Sequence, residues 1–179
     1  CQLTIEKTMK VSHSRGDNTH FSLRENTSLV TPNLPSAASM LHMHRFLVAA
    51  SKDPLSANLD RIQIVKGWLG KDGRAAEKVF DVVWSAGRIP SNGKLPALEP
   101  QLDEKTGVWN DAQGAVTLRT VWQDPEFNPA QKAFYYARVL QAPTPRHALL
   151  DAIALGLDAP TVGESVIQER AYSSPIWTM

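Results

Sequence analysis

Apolar residues recur at two-residue spacing through most of the chain beyond residue 45, and this pleated rhythm predicts a succession of short strands. Phe46 to Ser51 is an apolar run closed by Asp53-Pro54, a turn former, and reads as a first strand. Arg61 to Leu69 places Ile62, Ile64 and Trp68 on one side, with Lys66 as the polar exception, and Arg61, Gln63 and Val65 on the other. Lys71-Asp72-Gly73 is a compact turn, so Val79 to Trp84 is expected to return antiparallel as the second arm of a hairpin. In that arm Phe80, Val82 and Trp84 alternate with Val79, Asp81 and Val83, which turns the ring-bearing side inward.

Pro90, Gly93, Pro96 and Pro100 interrupt any ladder between Gly87 and Gly107 and predict a long surface loop. Val116 to Trp122 resumes the alternation, Asp124 to Pro129 reads as a rigid loop, and Ala133 to Gln141 as another strand. In this last strand Phe134, Tyr136, Arg138 and Leu140 share one side and Tyr135 lies on the less charged other; the inner face stays open between them. The period turns helical after Thr144-Pro145, where Thr offers an N-cap oxygen and Pro suits N1, with Leu149, Leu150 and Ile153 grouped. A helix from Arg146 to Leu155, ended by Gly156, has about two and a half turns and needs the sheet for support. Val166 to Tyr172 alternates again, and Ile176-Trp177 is expected to tuck an aromatic end against the body. The fold class is therefore mainly β: an antiparallel β-sandwich-like module with one short helix near the C-terminus, spanning residues 46–179. Residues 1–45 hold neither period and read as an irregular leader: a divergent insertion, a disordered segment or an out-of-frame translation.

Composition narrows the function classes. A chain of 179 residues suits one domain, and 19 basic against 18 acidic side chains, interspersed, argue against a nucleic-acid partner. No apolar run approaches the roughly 20 residues of a membrane span. Cys1 is the single cysteine, which removes intrachain disulfides and cysteine-based metal clusters. A leading Cys reads first as a fragment end and second as a lipid-modified terminus, which would place the domain outside the cytoplasm.

Four sets of residues invite a chemical reading. His42 and His44 would project to the same side of a strand and are the weak metal candidates, but the remaining His13, His20 and His147 and the carboxylates show no completing spacing. Asp60 and Arg61 read as an ion pair or a loop-fixing hydrogen bond. Lys66, on an apolar face, is expected to snorkel to the sheet edge, the alternative being an ammonium offered to a ligand. Trp68, Trp84, Trp122, Tyr135, Tyr136 and Trp177 are read as core in preference to a carbohydrate-stacking platform. No serine elbow, phosphate-cradling glycine loop or triad is present.

The tract Asn58-Leu59-Asp60-Arg61-Ile62-Gln63-Ile64-Val65-Lys66-Gly67-Trp68 and the ending Gln168 to Trp177 have the specificity of a signature. Together with Lys52-Asp53-Pro54, Glu77 to Ser85, Ala133 to Leu140 and Pro143 to Arg146, they resemble the C-terminal region of an uncharacterised bacterial family of metallohydrolase-like proteins, related to the polymerase and histidinol phosphatase (PHP) domain. The resemblance runs from about Phe46 to Trp177. It implies a distorted barrel upstream that supplies His and Asp ligands, and metal-activated water attacking an ester or phosphoester. In that family the paired histidines stand in Asp-Leu-His-x-His-Thr, whereas His42 and His44 here are flanked by Met40-Leu41 and Arg45-Phe46, so the divalent metal is assigned to the missing barrel and no cofactor to this chain. Arg138, Arg146, Glu169 and Arg170 fall in matching segments and are expected to buttress the barrel or reach its mouth. The expectation is a non-catalytic C-terminal portion acting as scaffold or cleft wall, whose partner is an N-terminal catalytic domain. The alternative is a free-standing β-sandwich that binds a small ligand, lipid-anchored through Cys1.

Overall fold

Phe46, Val48 and Ala50 alternate with Arg45, Leu47 and Ala49, and this pattern forms strand β1 (Arg45–Ser51) in the computed structural model, which describes residues 45–158 and 160–178. The leader and the pair His42 and His44 lie outside the described residues; Arg45, assigned to the leader by its sequence texture, opens β1. β2 (Leu59–Leu69) and β3 (Ala75–Trp84) make the expected hairpin, with Gly73 at φ 75° in its turn. β4 (Thr117–Gln123) pairs antiparallel with β1, and β5 (Ala133–Gln141) runs antiparallel along the other side of β2. Two short strands, β8 (Arg170–Tyr172) and β9 (Ile176–Thr178), share the outer edge of β5. The result is a five-stranded antiparallel sheet, β3-β2-β5-β8 with β9 also on β5, covered by the β1-β4 pair.

Facing residues explain why the two layers stay together. Ile62 and Ile64 from β2, and Tyr135, Ala137 and Val139 from β5, meet Phe46, Val48, Ala50 and Leu118 from the cover, and all are buried. Phe46 touches Tyr135 and Trp122 at ring centroid distances of 4.8 and 5.9 Å. Each fully buried side chain of this size contributes on the order of 1.5–3 kcal/mol relative to exposure. The open question of β5 is thereby answered: the Tyr135 face is inner, and Phe134, Tyr136 and Arg138 lie outside.

Three expectations need correction. A bulge opposite Ile62 and Gln63 adds a residue to β3, so Val83 pairs with Ile62 and Trp84 with Arg61. Val82 and Val83 both pack on the core, while Trp84 turns to the Arg61 side and donates its indole N–H to the Arg88 carbonyl at 2.8 Å. Thr144 and Pro145 do not begin the helix: as β6 (Thr144–Pro145) they pair with β7 (Val166–Ile167), and α1 runs His147–Ala154 with Arg146 as its N-cap. Pairing with β7 holds Thr144 and Pro145 extended, which outweighs their suitability as a helix start. The segment Val166 to Tyr172 is likewise two strands, not one, divided at Gln168 and Glu169. Gly156 does end α1, at φ 69°, with its amide on Ile153 O and that of Leu157 on Ala152 O, the paired bonds of a Schellman cap.

Candidate functional site

The diagnostic tract from Asn58 to Arg61 works by hydrogen bonding to loops. Asn58 receives the chain at the start of β2: its amide donates to Asp111 Oδ1 at 2.6 Å, and its side-chain Nδ2 to the carbonyls of Asp111 and Gln113. Lys52 adds an ion pair to the same Asp111. These bonds hold the far end of the long loop, and with it Trp109, against the β1–β2 connection.

Asp60 is fully buried, and its carboxylate collects three donors. Arg61 Nε reaches Oδ2 at 3.0 Å, Gln168 Nε2 reaches the same oxygen at 2.8 Å, and Arg88 Nη2 pairs with Oδ1. The Asp60 carbonyl accepts from the Ser85 amide and hydroxyl. The arginines continue outward: Arg61 binds Asp81 and the carbonyls of Leu95 and Pro96, and Arg88 binds Pro96 as well. One carboxylate thus ties β2, the loop after β3 and the β7–β8 link together. A buried charge is tolerable only when partners compensate it, and here two guanidiniums and an amide do.

Lys66 does not snorkel. It is 3 % exposed, with Nζ 2.6 Å from Asp124 Oδ2 and 2.8 Å from the Glu126 carbonyl, and its ammonium lies over the rings of Trp68 and Tyr135 at 5.6 and 5.7 Å. Tyr135 donates to the same Asp124 oxygen at 2.7 Å, and the Glu126 amide takes the other at 2.8 Å. Burial alone would raise the Asp124 pKa, but the bonds from Lys66, Tyr135 and the Glu126 amide outweigh it and hold the carboxyl below its usual value. Burial first, then the bond to Asp124 and its charge, push the Tyr135 phenol well above its ordinary range. The four groups lock the loop after β4 to the sheet.

Beside the Asp60 cluster opens a cleft of about 390 Å³, in the range of small-molecule sites. Its walls are the β1–β2 loop with Leu55, Ser56 and Ala57, the β6–β7 ladder with Thr144, Pro145 and Ile167, the start of α1 with Arg146, His147 and Ala148, and Trp109 from the long loop. Gln141, at the end of β5, also lines it and is fully buried; Nε2 donates to Ser56 Oγ at 2.8 Å, while Oε1 has no hydrogen-bond partner. Glu169 is held there through its own carbonyl, which accepts the Gln141 amide at 3.0 Å, and Gln168 bridges Asp60 to the Gln141 carbonyl.

The sequence matches the family DUF3604, described as a protein of unknown function, over residues 26–179. The chain belongs to that family. The match starts at residue 26, upstream of the onset near Phe46 expected from the signature tracts. No curated protein and no solved structure matches the chain.

Of the residues singled out in this DUF3604 chain, Asp60 and Arg61 sit together behind the cleft and Arg146 stands exposed at its rim. Arg138 lies on the outer face of the sheet, where its Nε donates to Gln63 Oε1 at 2.7 Å, and Arg170 is exposed on β8. Lys66 belongs to the separate Asp124 lock. The aromatic set divides: Tyr135 is buried and Trp68 and Trp122 pack on the core, whereas Trp177 remains 68 % exposed against Phe134, 5.2 Å away. Among the described residues no three His, Cys, Asp or Glu side chains converge, and the buried Asp60 and Asp124 carboxylates are bound by protein donors. No helix among the described residues is long and apolar enough to cross a membrane. Arg88 and Asp124 carried no periodic signal because they lie in loops, and Gln168 stood inside the alternation expected of Val166 to Tyr172 but falls in the break between β7 and β8. Gln141 did carry one, as a polar residue in phase with Tyr135, Ala137 and Val139.

Proposed function

We propose that this module is the non-catalytic supporting body of a PHP-like metal-dependent hydrolase of the ester or phosphoester class, and that it contributes one wall of the substrate cleft. The observation that carries the reading is the use made of Asp60: its carboxylate is fully buried and spent on Arg61, Arg88 and Gln168, each from a different segment. Such a group fixes loops: three donors, two of them guanidiniums, hold it, and its complete burial keeps it from a substrate proton or electrophile. Asp124 is consumed in the same way by Lys66 and Tyr135. The resemblance of the tracts around Asn58–Trp68 and Gln168–Trp177 to the PHP-related proteins supports the hydrolase half of the proposal, with the divalent metal and its ligands on an N-terminal catalytic domain.

The test is an assay of the purified chain with Mn²⁺ or Zn²⁺ against a panel of phosphoesters and carboxyl esters. No turnover above the metal alone is expected. Robust turnover that disappears in His42→Ala and His44→Ala overturns the non-catalytic assignment. A family member with an Asp-Leu-His-x-His barrel ahead of this module is expected to turn over some of the panel, and one that turns over none contradicts the hydrolase assignment.

A further inference from the structure

The cleft at the start of α1 is polarised along its length. At one end stand donors. Arg146 is exposed and has no ion-pair partner among the described residues, and α1 begins with no side-chain cap and no acidic residue in its first turn. The amides of His147 and Ala148, the first two of the helix, lack intrahelical acceptors, and the helix dipole adds partial positive charge there. At the other end stand acceptors. Glu169 has no ion-pair partner among the described residues, and Gln141 Oε1 is buried without a hydrogen bond. Leaving such an oxygen unpaired costs about 1–3 kcal/mol, so its position on a cleft wall marks a place where a ligand donor belongs.

The ladder orders the two ends. Arg146 N bonds to Ser165 O, whereas Gln141 N bonds to Glu169 O, so Arg146 and Glu169 stand at opposite ends of the β6–β7 wall. Both residues line the cleft, which therefore carries one basic and one acidic residue. Between the ends the walls are apolar: Trp109, Leu150, Ile167 and the 95 % exposed Leu55.

We propose that this cleft binds a small zwitterion with an apolar middle, of which a hydrophobic dipeptide is the simplest form. The carboxylate lies at Arg146 and the α1 amides, the ammonium at Glu169 and Gln141 Oε1, and the side chains rest on Trp109, Leu55 and Leu150. A purely anionic ligand leaves Glu169 and Gln141 Oε1 unanswered, and a purely cationic one leaves Arg146 and the helix amides unanswered. The inference goes beyond the supporting role proposed above and concerns binding alone, so a positive or negative turnover assay leaves it standing.

The experiment is a titration of the ¹⁵N-labelled full chain with Leu-Leu, followed by amide and indole chemical shifts. Saturable shifts are expected at His147, Ala148, the Trp109 indole and the Gln141 side-chain amide. N-acetyl-Leu-Leu, which lacks the ammonium, and Leu-Leu-amide, which lacks the carboxylate, are each expected to bind roughly tenfold more weakly. Arg146→Gln should abolish the preference for the free carboxylate and Glu169→Gln the preference for the free ammonium. Neither side chain is buried, so both variants should keep the wild-type spectrum elsewhere. Absence of saturable shifts at the cleft, shifts confined to other residues, or equal binding of the three peptides overturns the proposal.

Discussion

Replacing Lys66 by Met tests the idea that the sheet and the loop after β4 are locked by buried charge. Met matches the length of the lysine stem but removes the ammonium, leaving Asp124 fully buried with the Tyr135 hydroxyl and the Glu126 amide as its remaining partners. Breaking one side of a buried ion pair costs about 3–5 kcal/mol. The two surviving hydrogen bonds to Asp124 place the expectation at the lower end, about 3 kcal/mol. For a domain of 150–250 residues this corresponds to a fall in Tm of roughly 6–12 °C. The double variant Lys66→Met, Asp124→Asn removes both charges, keeps an acceptor for the Glu126 amide and should recover part of the loss, short of the roughly 1–3 kcal/mol cost of a poorly paired Tyr135 hydroxyl. Adding Tyr135→Phe should recover that as well. Urea unfolding followed by tryptophan fluorescence reads all four proteins, with Trp68 beside Lys66 as a local reporter. A loss below about 1 kcal/mol for Lys66→Met, or a double variant less stable than the single, would refute the argument that the pair is a desolvated lock.

Asp60→Asn should cost about 3–5 kcal/mol in the same urea assay, because Arg61 and Arg88 are left charged and mostly buried without their carboxylate. Gly67→Ala should cost about 1–3 kcal/mol, since its new methyl would sit 2.2 Å from Phe134 Cζ; Phe134→Ala in the same chain should remove that penalty. Stability should also respond to pH at both extremes. The lowered Asp124 pKa stabilises the fold above the unfolded value near 3.8, and this contribution is lost as pH falls through the depressed folded value; Asp124→Asn should flatten that acid limb. The raised Tyr135 pKa contributes stability that is complete below the unfolded value near 10 and is lost as pH rises towards the folded value, so Tyr135→Phe should flatten the alkaline limb of a urea-midpoint profile.

Local sequence was enough to determine the mainly β class, the β2–β3 hairpin, the inward set Ile62, Ile64 and Trp68, and the glycine stop of α1, because each depends on residues within a few positions of one another. Tertiary structure alone decided what the polar residues do. Lys66 became a buried lock because Asp124 arrives from a loop 58 residues away, and Asp60 became a junction because Arg88 and Gln168 reach it from 28 and 108 residues away. The bulge that turned Trp84 outward and the β6–β7 ladder that delayed the helix to His147 were likewise settled by partner strands. Local alternation tells which way a side chain points from its own strand, but the partner that compensates a buried charge is chosen by packing, and packing joins segments whose separation in sequence carries no period.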